Sequence, residues 1–326
     1  MINLFRRAQP SNLIFLLIII LLLRVAILLN PLIYDDLIIY KPFAKILTFF
    51  TFDFLSNPVA NILFTGFIVF IQSIIFGRII TRYNFFNKTS YIPELMFAVL
   101  SSLFTPFLTF SPIIICNFLL LWILDRIFSL YRTSSTLSSV FDMSLIISIG
   151  SLIYFPFLFI FPIIWISLLI FRPFSWREWT ASLIGLTIPY IFLGTWYFWN
   201  DDFSDFYNIW LPFKFTVPQA LAIDQEAYLA LIPLAIILLL SLNSVRVMFF
   251  KNVIQVRKSL QSLGILVVII GASFLLLPNM RINHLMLAIA PLAVFLTFYF
   301  NNARVRWFYE SLFMLLILSI FYFQLF

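Results

Sequence analysis

Arg24 stands within an apolar run from Leu13 to Ile33, a setting in which an unpaired guanidinium costs about 2–3 kcal/mol or more. Such a group needs a carboxylate, a phosphate or a water-filled cavity, so it should point inward rather than towards lipid. A snorkelling or structurally paired arginine is the alternative. Eleven residues further on, about 16 Å along a helix, Asp35 and Asp36 emerge together. One carboxylate there could take a proton from a sugar hydroxyl, or the two could hold a divalent cation; a solvated loop dyad would look the same in sequence. Arg281 and His284 lie one helical turn apart and could clamp a phosphate if a helix begins early in that segment. A lone solvated histidine is the competing reading. Lys214 is a further basic residue in a long polar stretch, and completes the set of groups able to meet an anion.

These residues have to be positioned by elements that are overwhelmingly apolar. The 326 residues are 63% hydrophobic, 20% aromatic and 10% charged, against roughly 45–50% apolar and about 25% charged in an ordinary globular protein. One water-soluble core of that length could not enclose so much apolar surface. The expected fold is therefore all-α, a polytopic integral membrane helical bundle forming a single transmembrane domain over residues 1–326. Apolar runs recur at roughly 13–33, 59–77, 91–105, 112–128, 141–155, 157–171, 179–199, 228–246, 259–277, 284–300 and 307–325. That makes about eleven spans, with 9–12 compatible, because Pro93, Pro106, Pro112 and Pro156 interrupt the region 91–155. The first run is long, lacks a small-residue cleavage site and contains Arg24, so it reads as a retained span.

Charge follows the same alternation. Threading the chain with a cytoplasmic N-terminus gathers Arg6, Arg7, Arg78, Arg82, Lys88, Arg126, Arg132, Arg172, Arg177, Arg246, Lys251, Arg257, Lys258, Arg304 and Arg306 on one side, 15 of the 20 basic residues. The other side receives only Lys41, Lys45, Lys214 and Arg281. This is the positive-inside pattern, so the net charge of +7 reports topology and not nucleic-acid binding. A single Cys116 excludes a disulfide framework and a multi-thiolate metal site, and the single His284 excludes sites needing two imidazoles. Without a Gly-rich phosphate loop, ATP hydrolysis by this chain is not expected. Seven glycines argue against close small-residue helix packing, and 43 phenylalanines suggest a bulky lipid-facing exterior.

Two polar excursions interrupt the bundle on the outer side. In 34–58, the stretch Leu37 to Phe50 sets Ile39, Phe43, Ile46, Leu47 and Phe50 on one helical face against Lys41, Lys45 and Thr48, as an interfacial helix would, anchoring to membrane lipid. The second, 200–228, contains Asp201, Asp202 and Asp205, a spacing similar to the magnesium-diphosphate motif of prenyl-transferring enzymes. With no second acidic motif on a facing helix, a solvated acidic loop is the preferred reading. Glu94, Asp125, Asp142 and Glu310 lie near basic residues at cytoplasmic ends, where local pairing accounts for them.

Taken together, Leu23-Arg24, the stretch Tyr34-Asp35-Asp36-Leu37-Ile38-Ile39-Tyr40, and His284-Leu285-Met286-Leu287-Ala288-Ile289-Ala290-Pro291-Leu292-Ala293 resemble the GT-C glycosyltransferases. Members have many spans, an acidic pair after the first, frequently a basic residue within it, and a late Leu/Pro-rich segment opening one of the final helices. The resemblance implies transfer of a sugar from a polyprenyl-phosphate donor at the outer leaflet, and a location in a bacterial cytoplasmic (inner) membrane. It implies Asp35 as the catalytic acidic residue, acting as base or metal-positioning group, with Asp36 beside it. Arg281 and His284 fall in the late segment that approaches the lipid phosphate. No organic cofactor is implied; a divalent cation would be the only addition. This chain departs from the family in being short, in lacking a large outer domain and in carrying Asp-Asp rather than Asp-Glu. A non-enzymatic multi-pass scaffold or complex subunit, and a lipid or solute transporter, are the other classes compatible with the sequence.

Overall fold

The computed structural model describes residues 1–29, 57–86, 88–131, 136–204, 206, 225–276 and 282–325. Among these the chain is helical throughout, with short 3-10 segments and no strand. The helices are α1 (Ile2–Phe5), α2 (Ser11–Leu22), α3 (Val25–Leu29), α4 (Pro58–Arg82), α5 (Ile92–Leu100), α6 (Pro112–Ser129), α7 (Thr136–Ile153), α8 (Pro162–Phe171), α9 (Trp176–Trp199), α10 (Gln225–Phe249), α11 (Ile254–Leu276), α12 (Ile289–Asn302) and α13 (Arg306–Leu325). Within the described residues the expected apolar runs are largely helical, and seven helical segments there are long and apolar enough to cross a membrane. The others are short or broken: α5 has nine residues, and α2 is separated from α3 by a turn at Leu23 and Arg24.

Prolines set several of these boundaries. Pro58, Pro93, Pro106, Pro112, Pro156 and Pro162 all occupy the first turn of a helix or 3-10 segment, where a missing N–H is harmless. At α4, Asn57 adds a side-chain cap, its Oδ1 accepting from the Val59 N–H at 3.1 Å. Helix ends within lipid still carry backbone groups that need partners. Buried amides provide some of them. Asn61 Oδ1 accepts from Phe110 N at 2.7 Å, Gln72 Nε2 donates to the Ile114 carbonyl at 2.7 Å, and Asn117 Nδ2 donates to the Met286 carbonyl at 3.3 Å.

The core lies around α5 and α12. Every residue of α5 is buried, as are nearly all of α12, and the two pack on each other, with α4 against α5 and α10 against α12. By contrast α9 and α10 expose most of their apolar residues, as lipid-facing helices do. Phenylalanine serves both environments: Phe192 and Phe198 are exposed, whereas Phe76, Phe97, Phe107, Phe157, Phe298 and Phe300 fill the interior. The expectation of a mainly exterior role for phenylalanine is therefore corrected. So is the expectation drawn from the scarcity of glycine. At Gly185 in α9 a methyl group would lie 2.6 Å from the Phe141 carbonyl oxygen of α7, so these two helices touch backbone to side-chainless backbone.

Hydrogen bonds tie the basic connections to one another at one end of the bundle. Tyr91 N donates to the Phe5 carbonyl, Arg6 to the carbonyls of Phe300 and Ala303, and Tyr83 Oη to that of Asp125. Gln255 donates to Phe128 O, Arg172 to Leu130 O and Lys258 to Phe171 O. Segments that are far apart in sequence but alike in charge thus share one end, and the helices between them leave it and return.

Candidate functional site

The turn between α2 and α3 explains the placement of Arg24. Its backbone N–H bonds to Leu21 O at 3.0 Å rather than to Ile20 O, and the Ile20 carbonyl instead accepts from Arg24 Nη1 at 3.1 Å. Nη1 also reaches Ser102 Oγ at 3.4 Å, just beyond the C-terminus of α5. The guanidinium has 0% exposure, and among the described residues its Nε and Nη2 have no hydrogen-bonding partner. It lies across Gly66 of α4, where a methyl group would come within 3.1 Å of Nε. No larger residue would leave this path open without moving the arginine.

Among the described residues, other polar atoms in this neighbourhood are also unsatisfied. Gln324 of α13 donates Nε2 to the Ser102 carbonyl at 3.2 Å, yet its Oε1 is buried and unpaired. Thr65, beside Gly66, keeps a buried hydroxyl without a partner. Buried polar atoms are nearly always paired, so a local surplus of donors and acceptors marks a place that a polar guest can satisfy. Arg24 therefore sits where its sequence context suggested, inward and away from lipid.

His284 is placed differently from either sequence reading. It belongs to a 3-10 segment, Ile282–Ala288, that leads into α12, and its ring is wholly buried. Tyr154 Oη lies 2.9 Å from Nδ1, and Ser273 Oγ lies 2.8 Å from Nε2. Ser273 in turn donates to the Ile270 carbonyl at 2.8 Å. One assignment of protons satisfies the row: Tyr154 donates to Nδ1, Nε2–H donates to Ser273, and Ser273 donates to the backbone. Both ring nitrogens are then occupied by the protein. The imidazole joins the end of α7 to α11 and fixes the segment that follows Arg281. It shares no hydrogen-bonding partner with Arg24.

Asp35, Asp36, Lys214 and Arg281 lie outside the described residues, as do the interfacial helix of 37–50, Asp205 and most of the 200–228 excursion. The first half of the Asp-rich motif has a local role. Asp201 adopts φ 60°, with Asp201 N bonded to Phe198 O and Asp202 N to Tyr197 O, so the pair closes the C-terminus of α9. Among the described residues no three His, Cys, Asp or Glu side chains come together as metal ligands would.

The acids near the basic connections divide. Asp125 pairs with Arg82 at 3.3 Å, as local pairing requires, and Glu178 lies 4.0 Å from Arg172 while accepting from Thr136. Glu94 has no ion pair among the described residues, and its Oε2 is buried without a partner. Sequence reasoning missed this, together with Gly66, Ser102, Tyr154 and Ser273. The detectable signal was the placement of Gly66 and Gly77 on α4, eleven positions and so about three turns apart on one face. No protein-family model matches this chain, and neither does any curated protein or solved structure.

Proposed function

We propose that the chain is a GT-C-like glycosyltransferase of the bacterial cytoplasmic membrane, with about eleven crossings and its N-terminus inside, that takes a sugar from a polyprenyl-phosphate donor at the outer leaflet. One observation carries the reading: Arg24 is fully buried, and among the described residues its Nε and Nη2 have no hydrogen-bonding partner and its charge no counter-ion. A donor phosphate supplies that counter-charge and gains two charge-assisted hydrogen bonds. The common end shared by the basic connections supports the sidedness, since it leaves Arg24 in the half of the bundle away from them.

In the proposed reaction an acceptor hydroxyl oxygen bonds to the anomeric carbon while the bond from that carbon to the phosphate oxygen breaks. The hydroxyl proton passes to the Asp35 carboxylate, and the electron pair leaves with the polyprenyl phosphate. Arg24 and Arg281 stabilise the charge that grows on the departing phosphate, which lowers the barrier more than it strengthens donor binding. Asp36 orients the acceptor, and Lys214 adds a cation on the solvent side. His284 is a positioning residue in this scheme, holding the Ile282–Ala288 segment against Tyr154 and Ser273.

The test is Asp35→Asn and Arg24→Gln in the native host, reading the amount of polyprenyl-linked glycan at matched protein abundance. Accumulation of donor with loss of its acceptor product is the expected result. Unchanged glycan in both variants would return the chain to the scaffold or transport classes.

A further inference from the structure

At the basic end of the bundle a cavity of about 460 Å³ opens between α2, α4 and the start of α5, with Gly77, Arg78, Arg82, Ser90, Leu13 and Glu94 on its walls. Three features set it apart from an ordinary interfacial crevice. Glu94 is 6% exposed, its Oε2 has no partner, and no cation neutralises it among the described residues. Gly77 makes room for that carboxyl group: a methyl at this position would coincide with the Glu94 side chain. Arg78 lines the same space, is exposed and makes no ion pair among the described residues, whereas the neighbouring Arg82 is engaged with Asp125. The buried Ser90 hydroxyl is also unpartnered.

We propose that this cavity binds the headgroup of a phospholipid bearing a primary ammonium two carbons from its phosphodiester, with the ammonium at Glu94 and the phosphate at Arg78. The charges dictate the class. A purely anionic headgroup would satisfy Arg78 but press against a carboxylate that already lacks a cation, and a simple cation would leave Arg78 unused. A guest carrying both signs a few ångströms apart satisfies both and removes the cost of an isolated buried carboxylate. Ser90 accepts one of the ammonium hydrogens. Lipid rather than a soluble zwitterion is indicated by the wall of the cavity, where Leu13 and Ile74 continue into the exposed apolar face of α2 at Ile14 and Ile18. This site is distinct from that of Arg24 and does not depend on the transferase reading.

The experiment uses the full chain in nanodiscs of phosphatidylglycerol doped with phosphatidylethanolamine or phosphatidylcholine, and counts retained lipids by native mass spectrometry after delipidation. Phosphatidylethanolamine should be retained about tenfold over phosphatidylcholine, whose trimethylammonium cannot donate to Glu94. Glu94→Gln should abolish that preference and leave phosphatidylglycerol retention the same or higher, because the carboxylate no longer repels an anionic headgroup, and Arg78→Gln should weaken retention of all three. Arg78 is exposed at a helix end, so its variant reports even if Glu94→Gln proves too unstable to purify. Equal retention of the ethanolamine and choline lipids by the unaltered protein would overturn the proposal. So would equal protection by soluble glycerophosphoethanolamine, which lacks acyl chains.

Discussion

Two buried charges lie against the same face of α4, each over a glycine, and they have been treated differently by the fold. Arg24 rests on Gly66 in the half of the bundle away from the basic connections, with one guanidinium nitrogen bonded and two without a partner among the described residues. Glu94 fits over Gly77 about 16 Å along the helix, near the basic end, with an open cavity before it. At Gly66 an added methyl would lie 3.1 Å from Arg24 Nε and 3.2 Å from its Cδ, a tight contact that a small shift of the flexible arginine relieves; at Gly77 it would occupy the carboxyl group itself. The contrast shows how a helix with few glycines can still admit polar groups into lipid: a missing side chain is placed only where another side chain must cross.

Substitutions at these two places would sharpen or break the comparison. The largest effect is expected from Arg24→Gln, which should lower glycan transfer by about 10²- to 10³-fold, the usual consequence of removing one charge-stabilising donor from a transition state. Initial-rate assays with a polyprenyl-phosphate sugar would measure it. Arg24→Met should act in the opposite direction on stability. With an unpartnered guanidinium replaced by a side chain of similar length, ligand-free protein should gain on the order of 1–4 kcal/mol by detergent-phase denaturation. A loss of stability there would mean that the bonds of Nη1 to Ile20 O and Ser102 Oγ outweigh the cost of burying the guanidinium, and that Arg24 is held for the fold and not for a ligand.

Gly77→Ala comes next, with an expected loss of about 1–3 kcal/mol from overpacking against Glu94. Gly66→Ala should fall within about 0.5 kcal/mol of the parent, because the better helix propensity of alanine offsets a small shift of the Arg24 stem. Equal melting temperatures for the two variants would dissolve the distinction between the sites. Similarly small is Arg82→Gln, which removes an ion pair whose arginine is 67% exposed and should cost under about 1 kcal/mol.

Much of the fold was legible because its signal is additive over many residues. Among the described residues the apolar runs, punctuated by proline, are largely helical, and like charges share one end of the bundle. The inward placement of Arg24 was legible for the same reason: lipid offers a guanidinium no alternative. What periodicity could not show was pairing. Glu94 and Asp125 share one account in the sequence, an acid with basic residues in its neighbourhood, yet Asp125 meets Arg82 and Glu94 faces Gly77. His284 looked like an interfacial residue beside Arg281, but a 3-10 turn carries it inside to Tyr154 and Ser273, which come from two other helices.

The amino-acid order alone determined that this chain folds as apolar helices with its basic residues segregated, because transfer of each residue between water and hydrocarbon is a local quantity that sums along the chain. Which charges are neutralised was decided only by the tertiary structure. A hydrogen bond depends on the last ångström of separation between side chains from different helices, and that distance is fixed by how the helices pack, down to the two glycines on which Arg24 and Glu94 rest.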